Sequence, residues 1–258
     1  MAPRDRSIHV SIRPYFFGVY HWRERLPRIA AAAVLLVAAA VAYRRGDRTR
    51  RAVAVGVAAG ALYRGGDAAR RLCSPPPWAL DRAKYDALGS ILSLDDADRV
   101  LDVGCGSGRS IVGLAPALPD GTTVIGLDPF DDRVILGNGP ALARHNGALA
   151  GVDVSPVAGD AARLPLADGS VDAVTACRVL HDVPEERRAA AFAELRRVCA
   201  DDGVVGLLEL PITPDGVDDH VAYWRECLAD AGLTVERVAT VERPTREGTY
   251  VAVAATPA

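Results

Sequence analysis

Val100-Leu101-Asp102-Val103-Gly104-Cys105-Gly106-Ser107-Gly108 decides the fold of this chain. An apolar strand runs into an acid and then into glycines at alternate positions. Glycines there let the backbone turn tightly and approach a ligand without interference from a Cβ. The ligand then sits where the following helix begins. Asp102, at the strand end, suits a cofactor with a positive amino-acid end better than a pyrophosphate. The spacing also departs from the dinucleotide pattern G-x-G-x-x-G. The third glycine comes one residue early, and Arg109 stands where that pattern ends in glycine.

Working outward, hydrophobic segments alternate in type. Strands are expected near 99–103, 122–127, 152–157, 171–176, 204–209, 233–240 and 248–255. Helices are expected near 108–118, 140–149, 185–199 and 218–231. Such alternation predicts an α/β, Rossmann-like, doubly wound and mainly parallel sheet with helices on both faces. Asp128 lies about twenty residues past the glycine loop at a strand end, where an acid can accept both ribose hydroxyl protons. Its alternative reading is a turn initiator before Pro129. Gly159-Asp160 is likewise a common turn pair.

From about Leu80 onward the chain resembles the class I S-adenosylmethionine (SAM)-dependent methyltransferases. V-L-D-V-G-C-G-S-G resembles their first motif. Val124-Ile125-Gly126-Leu127-Asp128 resembles their second strand with its ribose acid. Gly159-Asp160-Ala161 with Leu164-Pro165-Leu166 resembles the segment that places an Asp near the adenine amino group. Val171 to Val174 and Val179-Leu180-His181-Asp182-Val183 resemble the fourth strand and its loop. Ala193 to Val198 and Asp202-Gly203 resemble the helix and turn before strand five. The resemblance implies SAM as cofactor, held by Asp102, Gly104, Cys105, Gly106, Gly108, Asp128, Pro129, Asp160 and Ala161. It also implies an antiparallel last strand at the sheet edge. Gly137-Asn138, Asn146 and Gly151-Val152 resemble a subgroup that carries apolar N-terminal segments. That subgroup has His-Asn where this chain has His181-Asp182.

Methyl transfer needs a base only if the acceptor must lose a proton. His181 is the candidate base, with Asp182 to orient it; the plainer reading of His181 is a loop residue before the next helix. Glu209, at the end of strand five, could touch substrate or merely end the strand. Arg178 could bind an anionic group or pair with a surface acid, and Arg109 could lie on solvent.

The remaining sequence is of another character. Half of the 258 residues are hydrophobic, and the net charge of −3 hides an asymmetry. Residues 1–80 carry 14 Arg and 4 acids, while residues 81–258 carry 16 basic and 29 acidic residues. A basic segment beside apolar runs suits an anionic membrane surface, and an acidic domain speaks against nucleic acid. Ile29–Tyr43 and Ala52–Tyr63 are the apolar runs, the first at the low edge of a bilayer span and the second below it. Residues 1–73 are therefore expected to form a basic N-terminal segment with an apolar helical hairpin, the membrane anchor. Residues 74–258 are expected to be the catalytic domain, facing the cytoplasm where SAM is made, with Ser74-Pro75-Pro76-Pro77 as a stiff boundary. Two full spans would put the basic link Arg44–Arg51 outside, against the positive-inside tendency; a single span or an interfacial hairpin would not. The five cysteines are scattered without a C-x-x-C pair, so no metal site is expected. The function expected is methyl transfer to a small-molecule, lipid-like or quinone-like acceptor. The alternatives are a membrane-tethered SAM-binding protein without catalysis and an NAD-dependent oxidoreductase.

Overall fold

The structure is a computed structural model that describes residues 15–258 apart from 75, 245 and 246. The basic residues expected within 1–14 lie outside the described residues, as does Pro75. In chain order the elements are β1 (Val19–Tyr20), α1 (Trp22–Arg45), α2 (Arg48–Leu72), α3 (Ala83–Ile91), β2 (Arg99–Val103), α4 (Arg109–Leu114), β3 (Thr123–Asp128), β4 (Ile135–Leu136), α5 (Pro140–Ala150) and β5 (Asp153–Ala158). They continue with β6 (Val171–Cys177), α6 (Glu185–Val198), β7 (Cys199–Glu209), α7 (His220–Asp230), β8 (Leu233–Glu242) and β9 (Thr249–Pro257).

Seven strands form one sheet in the order β5-β3-β2-β6-β7-β9-β8. The first five run parallel, and β9 runs antiparallel to both β7 and β8. The chain winds outward from β2 to β5, then returns to β6 on the other side of β2. That reversal opens a crevice at the carboxyl end of β2, where open α/β sheets bind ligands. One face of the sheet is covered by Phe192, Leu195, Trp224 and Leu228 of α6 and α7. The other is covered by Tyr85, Leu88, Ile111, Leu114 and Ala143 of α3, α4 and α5. Each fully buried Leu, Ile or Phe among them contributes roughly 1.5–3 kcal/mol.

Two details differ from the sequence reading. The last strand is one place in from the edge, and β8 takes the edge. Residues Val251–Ala255 of β9 are buried without a break, whereas β8 exposes Glu236, Arg237 and other residues. An unbroken apolar strand needs neighbours on both sides, and a polar one tolerates the edge. Helix α3, unforeseen in the sequence, packs on α4 at Gly113, where a Cβ would lie 2.3 Å from the Tyr85 ring.

The two apolar runs lie inside longer helices that form a hairpin. Its seam is alanine: Ala32 and Ala39 face Ala54, Ala61 and Ala68, and these are the buried residues of α1 and α2. A Cβ on Gly65 would stand 2.6 Å from that of Ala32, so the helices meet at close range. The large apolar side chains point outward, with Val34, Val37, Val53 and Leu62 each more than 60% exposed. A hairpin folded by water would bury the large residues. Small residues at the seam and large ones outside is the arrangement found between helices in lipid. Of the two helices, α1 is long and apolar enough to cross a membrane by length and composition, with a mean hydropathy of 2.0.

The expected boundary at 73/74 falls at the end of α2. The segment before the hairpin nevertheless joins the α/β unit. β1 pairs with β4, just past the carboxyl end of β3. The fully buried Asn146 of α5 accepts from Phe16 N (3.3 Å) and donates to Phe16 O and Ser107 O (both 2.8 Å). Ser107 Oγ donates to Phe17 O (3.1 Å), and Arg109 stacks on the Phe17 ring at 4.5 Å. Replacing Asn146 by Ala leaves the Phe16 backbone groups unmatched and should destabilise the protein by about 2–3 kcal/mol. Thermal melting checks the cost, and limited proteolysis should show new cleavage near residues 15–20.

Candidate functional site: the glycine loop and the loop after β6

β2 ends in three glycines with left-handed backbone, Gly104 (φ 72°), Gly106 (φ 54°) and Gly108 (φ 82°). Gly104 matters most. A Cβ there would lie 2.3 Å from Val179 Cγ2, so only glycine lets this loop abut the loop after β6. Gly104 N and Cys105 N both donate to Leu127 O (2.7 and 3.1 Å), which fastens the loop to β3. Cys105 itself is buried, and burial pushes its thiol far above the usual range. It offers the site backbone, not reactive sulfur.

Asp102 has a different place from the one expected. Its Oδ2 accepts from Ser110 Oγ (2.5 Å) and its Oδ1 from Thr175 Oγ1 (2.7 Å), and the residue is 1% exposed. Both oxygens are engaged inside the fold, tying β2 to α4 and β6. The residue braces the loop from beneath. Burial raises its pKa to about 6, against the two hydroxyl donors.

Asp128 does face the loop. Its Oδ2 accepts from Gly106 N (3.0 Å), and its Oδ1 from Phe130 N (2.7 Å) and Asn138 Nδ2 (3.1 Å). Pro129 is exposed beside it. Asn138, outside the site in the sequence reading, joins it here. Its Nδ2 also donates to Asp131 O (3.2 Å), and two acceptors fix which way the amide points. Its Oδ1 is buried without a partner among the described residues. A Cβ on Gly106 would meet only that oxygen, at 3.6 Å, and Asp128 Oδ2, at 3.9 Å. The loop face at Gly106 is thus open and bordered by two acceptors. A group bringing hydroxyl or ammonium donors fits it, and SAM carries both.

Asp160 stands further off. It accepts from Ala162 N (3.0 Å) and pairs with Arg187 (2.5 Å) at the surface, and these hold its carboxyl below the usual range. Ala161 is half-buried against the core.

In the loop after β6, His181 Nδ1 lies 2.6 Å from Glu209 Oε2. Glu209 is fully buried at the end of β7, and its Oε1 accepts from Val179 N (3.0 Å) and Leu180 N (2.7 Å). The orienting acid is therefore Glu209. Asp182, the expected one, has its side chain 78% exposed and approaches Nε2 only at 3.5 Å. In the tautomer that donates Nδ1–H to Glu209 Oε2, Nε2 keeps its lone pair. Burial opposes the charged imidazole, but the Glu209 carboxylate prevails and holds its pKa above the ordinary value. Arg109 is not on solvent: its Nη1 donates to Ala79 O (2.9 Å).

Residues 100–203 match the family model described as Methyltransferase domain. The matched segment runs from β2 into β7. The chain is 36% identical over 131 residues to the demethylmenaquinone methyltransferase of Roseiflexus castenholzii, covering 51% of this chain and 50% of that protein. It is 29% identical over 149 residues to the ubiquinone/menaquinone biosynthesis C-methyltransferase UbiE of Citrifermentans bemidjiense, covering 57% and 60%. The chain thus spans about half to three-fifths of the length of these relatives. Among solved structures it is similar in fold to the Burkholderia thailandensis 1,6-didemethyltoxoflavin-N1-methyltransferase, with a TM-score of 0.54, 20% identity, and 69% and 79% coverage. It is similar to the [4+2]-cyclase SpnF as well, with a TM-score of 0.53, 21% identity, and 68% and 81% coverage.

A carboxyl whose folded pKa is raised binds a proton in the folded state that the unfolded state has already lost. Stability from Asp102 therefore falls as pH rises from the usual carboxylate range to about 6, by at most about 3 kcal/mol. Asp102→Asn should flatten this slope, as measured by urea unfolding at stepped pH.

Proposed function

We propose that this protein transfers the methyl group of SAM to a small quinone-like or lipid-like acceptor at a membrane surface. The observation that carries the reading is the junction of two loops across Gly104 and Val179. On one side stands the acceptor-lined face at Gly106; on the other stands His181, backed by Glu209. SAM, when bound, supplies an activated methyl group on a sulfonium. Asp128 and Asn138 accept from its ribose hydroxyls, while Gly104, Cys105, Gly106 and Gly108 give the backbone room. Asp102 keeps the loop in shape from below, and Pro129, Asp160 and Ala161 border the adenine side. His181 Nε2 takes a proton from an acceptor hydroxyl or acidic carbon, and Glu209 stabilises the imidazolium that results. Asp182 stays at the rim. Much of the rate comes from holding donor and acceptor in line.

The quinone-like acceptor is supported by the two curated relatives, whose names concern menaquinone and ubiquinone precursors. The membrane is supported by the inside-out hairpin and by its arginines, Arg44, Arg45, Arg48, Arg50 and Arg51, at the turn. Such a cluster attracts anionic headgroups by about 1 kcal/mol per residue near the surface. With the hairpin lying in the interface rather than spanning it, those arginines and the α/β unit share the cytoplasmic side.

Calorimetry on the full chain in detergent should show SAM binding, weakened by about ten- to a hundred-fold in Asp128→Ala through the loss of about 1.5–3 kcal/mol of charge-assisted hydrogen bonding. A folded chain without SAM affinity would overturn the reading. Turnover should fall by about 10²–10⁴-fold in His181→Asn and change little in Asp182→Asn. The base works only when neutral, so activity should rise with pH through the raised His181 pKa. Glu209→Gln should move that rise to lower pH while lowering its plateau; an unmoved pH profile would remove His181 from the role.

A further inference from the structure

We infer that the acceptor carries a carboxylate or an equivalent anionic group, and that Arg178 receives it. This rests on the methyltransferase reading and narrows its substrate class. Arg178 follows the last residue of β6, at the carboxyl edge where the two loops meet. Its φ is 59°, and its N–H donates to Leu208 O at 2.6 Å, which fixes the turn. Glycine is the relaxed residue for such a backbone, so a long side chain is kept here against a conformational cost. An outlier of this kind at a ligand edge points to use of the side chain.

The guanidinium has the surroundings of an anion site. It is half-buried, and among the described residues it forms no ion pair and no hydrogen bond. Two of the neighbouring charges are matched, Lys84 by Asp81 at 2.9 Å and His181 by Glu209 at 2.6 Å, while Arg109 has no acid among the described residues and gives Nη1 to Ala79 O. Arg178 lies within electrostatic reach of the Tyr85, Tyr20 and Tyr250 side chains and of Cys177, Lys84 and His181. Residues 81–258 carry 29 acids against 16 bases, so a cation without an acid at the ligand edge runs against the charge of its own domain. Arginine's planar fork matches a carboxylate with two parallel hydrogen bonds, and the tyrosine rings beside it suit a flat aromatic acceptor. The carboxylate bound could be the acceptor's or that of SAM itself; the assignment here is to the acceptor.

The test uses the full chain in detergent and begins with S-adenosylhomocysteine by calorimetry. With that ligand saturating, 1-hydroxy-2-naphthoate and 1-naphthol are titrated by fluorescence. The naphthoate should bind at least about ten-fold more tightly, as a charge-assisted pair implies. Arg178→Gly relieves the backbone, so its melting temperature should not fall. It should reduce the preference to about two-fold or less and leave S-adenosylhomocysteine affinity unchanged, whereas Arg178→Lys should keep part of the preference. Equal binding of the two naphthalenes, binding of neither, or a preference that survives Arg178→Gly overturns the inference. So does a loss confined to S-adenosylhomocysteine, which would give the carboxylate to the cofactor. A chain that took the naphthoate through Arg178 but not S-adenosylhomocysteine would sink the methyltransferase reading and leave the anion site standing.

Discussion

Gly104 and Val179 approach so closely that no side chain can stand between them, and the ligand edge is organised around that contact. The glycine loop belongs to β2 and the His181 loop to β6, neighbours in register from Val100–Ala173 to Val103–Ala176. Parallel pairing delivers both strand ends to one edge; the missing Cβ then closes the gap between the loops. Asp102 secures the same junction from beneath by holding hydroxyls from α4 and β6. The cost is a carboxyl buried away from water, which the two hydroxyl donors only partly offset. Such strain is common where a fold must present backbone to a ligand.

What was legible in the sequence was local in origin. Glycines at alternate positions after an apolar strand report a backbone constraint that nearby residues impose by themselves, and Asp128 followed from spacing along a βαβ unit. His181 was legible as a candidate, but its partner was not. Glu209 is 28 residues away, and the two meet because β6 and β7 pair with Cys177 opposite Leu208. The neighbouring Asp182 looked the better partner only because sequence adjacency was the available measure. An acid ending the next parallel strand was the signal that could have found Glu209. Asn138 and Asn146 showed only as part of a resemblance, with no local sign of their partners: one reaches Asp128 ten residues back through a loop and the other reaches Phe16 across 130 residues. The β8–β9 order likewise depends on which strand can tolerate an edge, a comparison that needs both strands in view.

The hairpin and the α/β unit are more closely joined than a stiff linker implies. Trp22, at the foot of α1, donates to Asp132 O at 2.8 Å, and Arg23 pairs with the Asp132 carboxylate at 3.0 Å. Both contacts fall in the loop that begins at Asp128. Phe17 is fully buried, between the glycine loop and the residues after α2. A fragment starting at residue 74 would lack Phe17, Tyr20 and the β1 strand, and would expose the surface they cover. The residues before the hairpin are part of the wall of the site.

That wiring bears on how an acceptor arrives. The root of the hairpin sits at the carboxyl edge of the sheet, since β1 pairs with β4 just past β3. On the proposed reading, a hairpin rooted there brings the membrane to the same edge that carries Gly106, Arg178 and His181. The fold does not by itself choose the chemistry, for a cyclase and an N-methyltransferase share it at similar TM-scores. The choice lies with side chains at the edge. A buried histidine–carboxylate pair offers proton removal, a strained arginine offers a grip on an anion, and outward-facing valines offer a lipid surface. An amphipathic acceptor with a flat ring and an acidic group satisfies all three at once, whereas a water-soluble cation or a nucleic acid satisfies none.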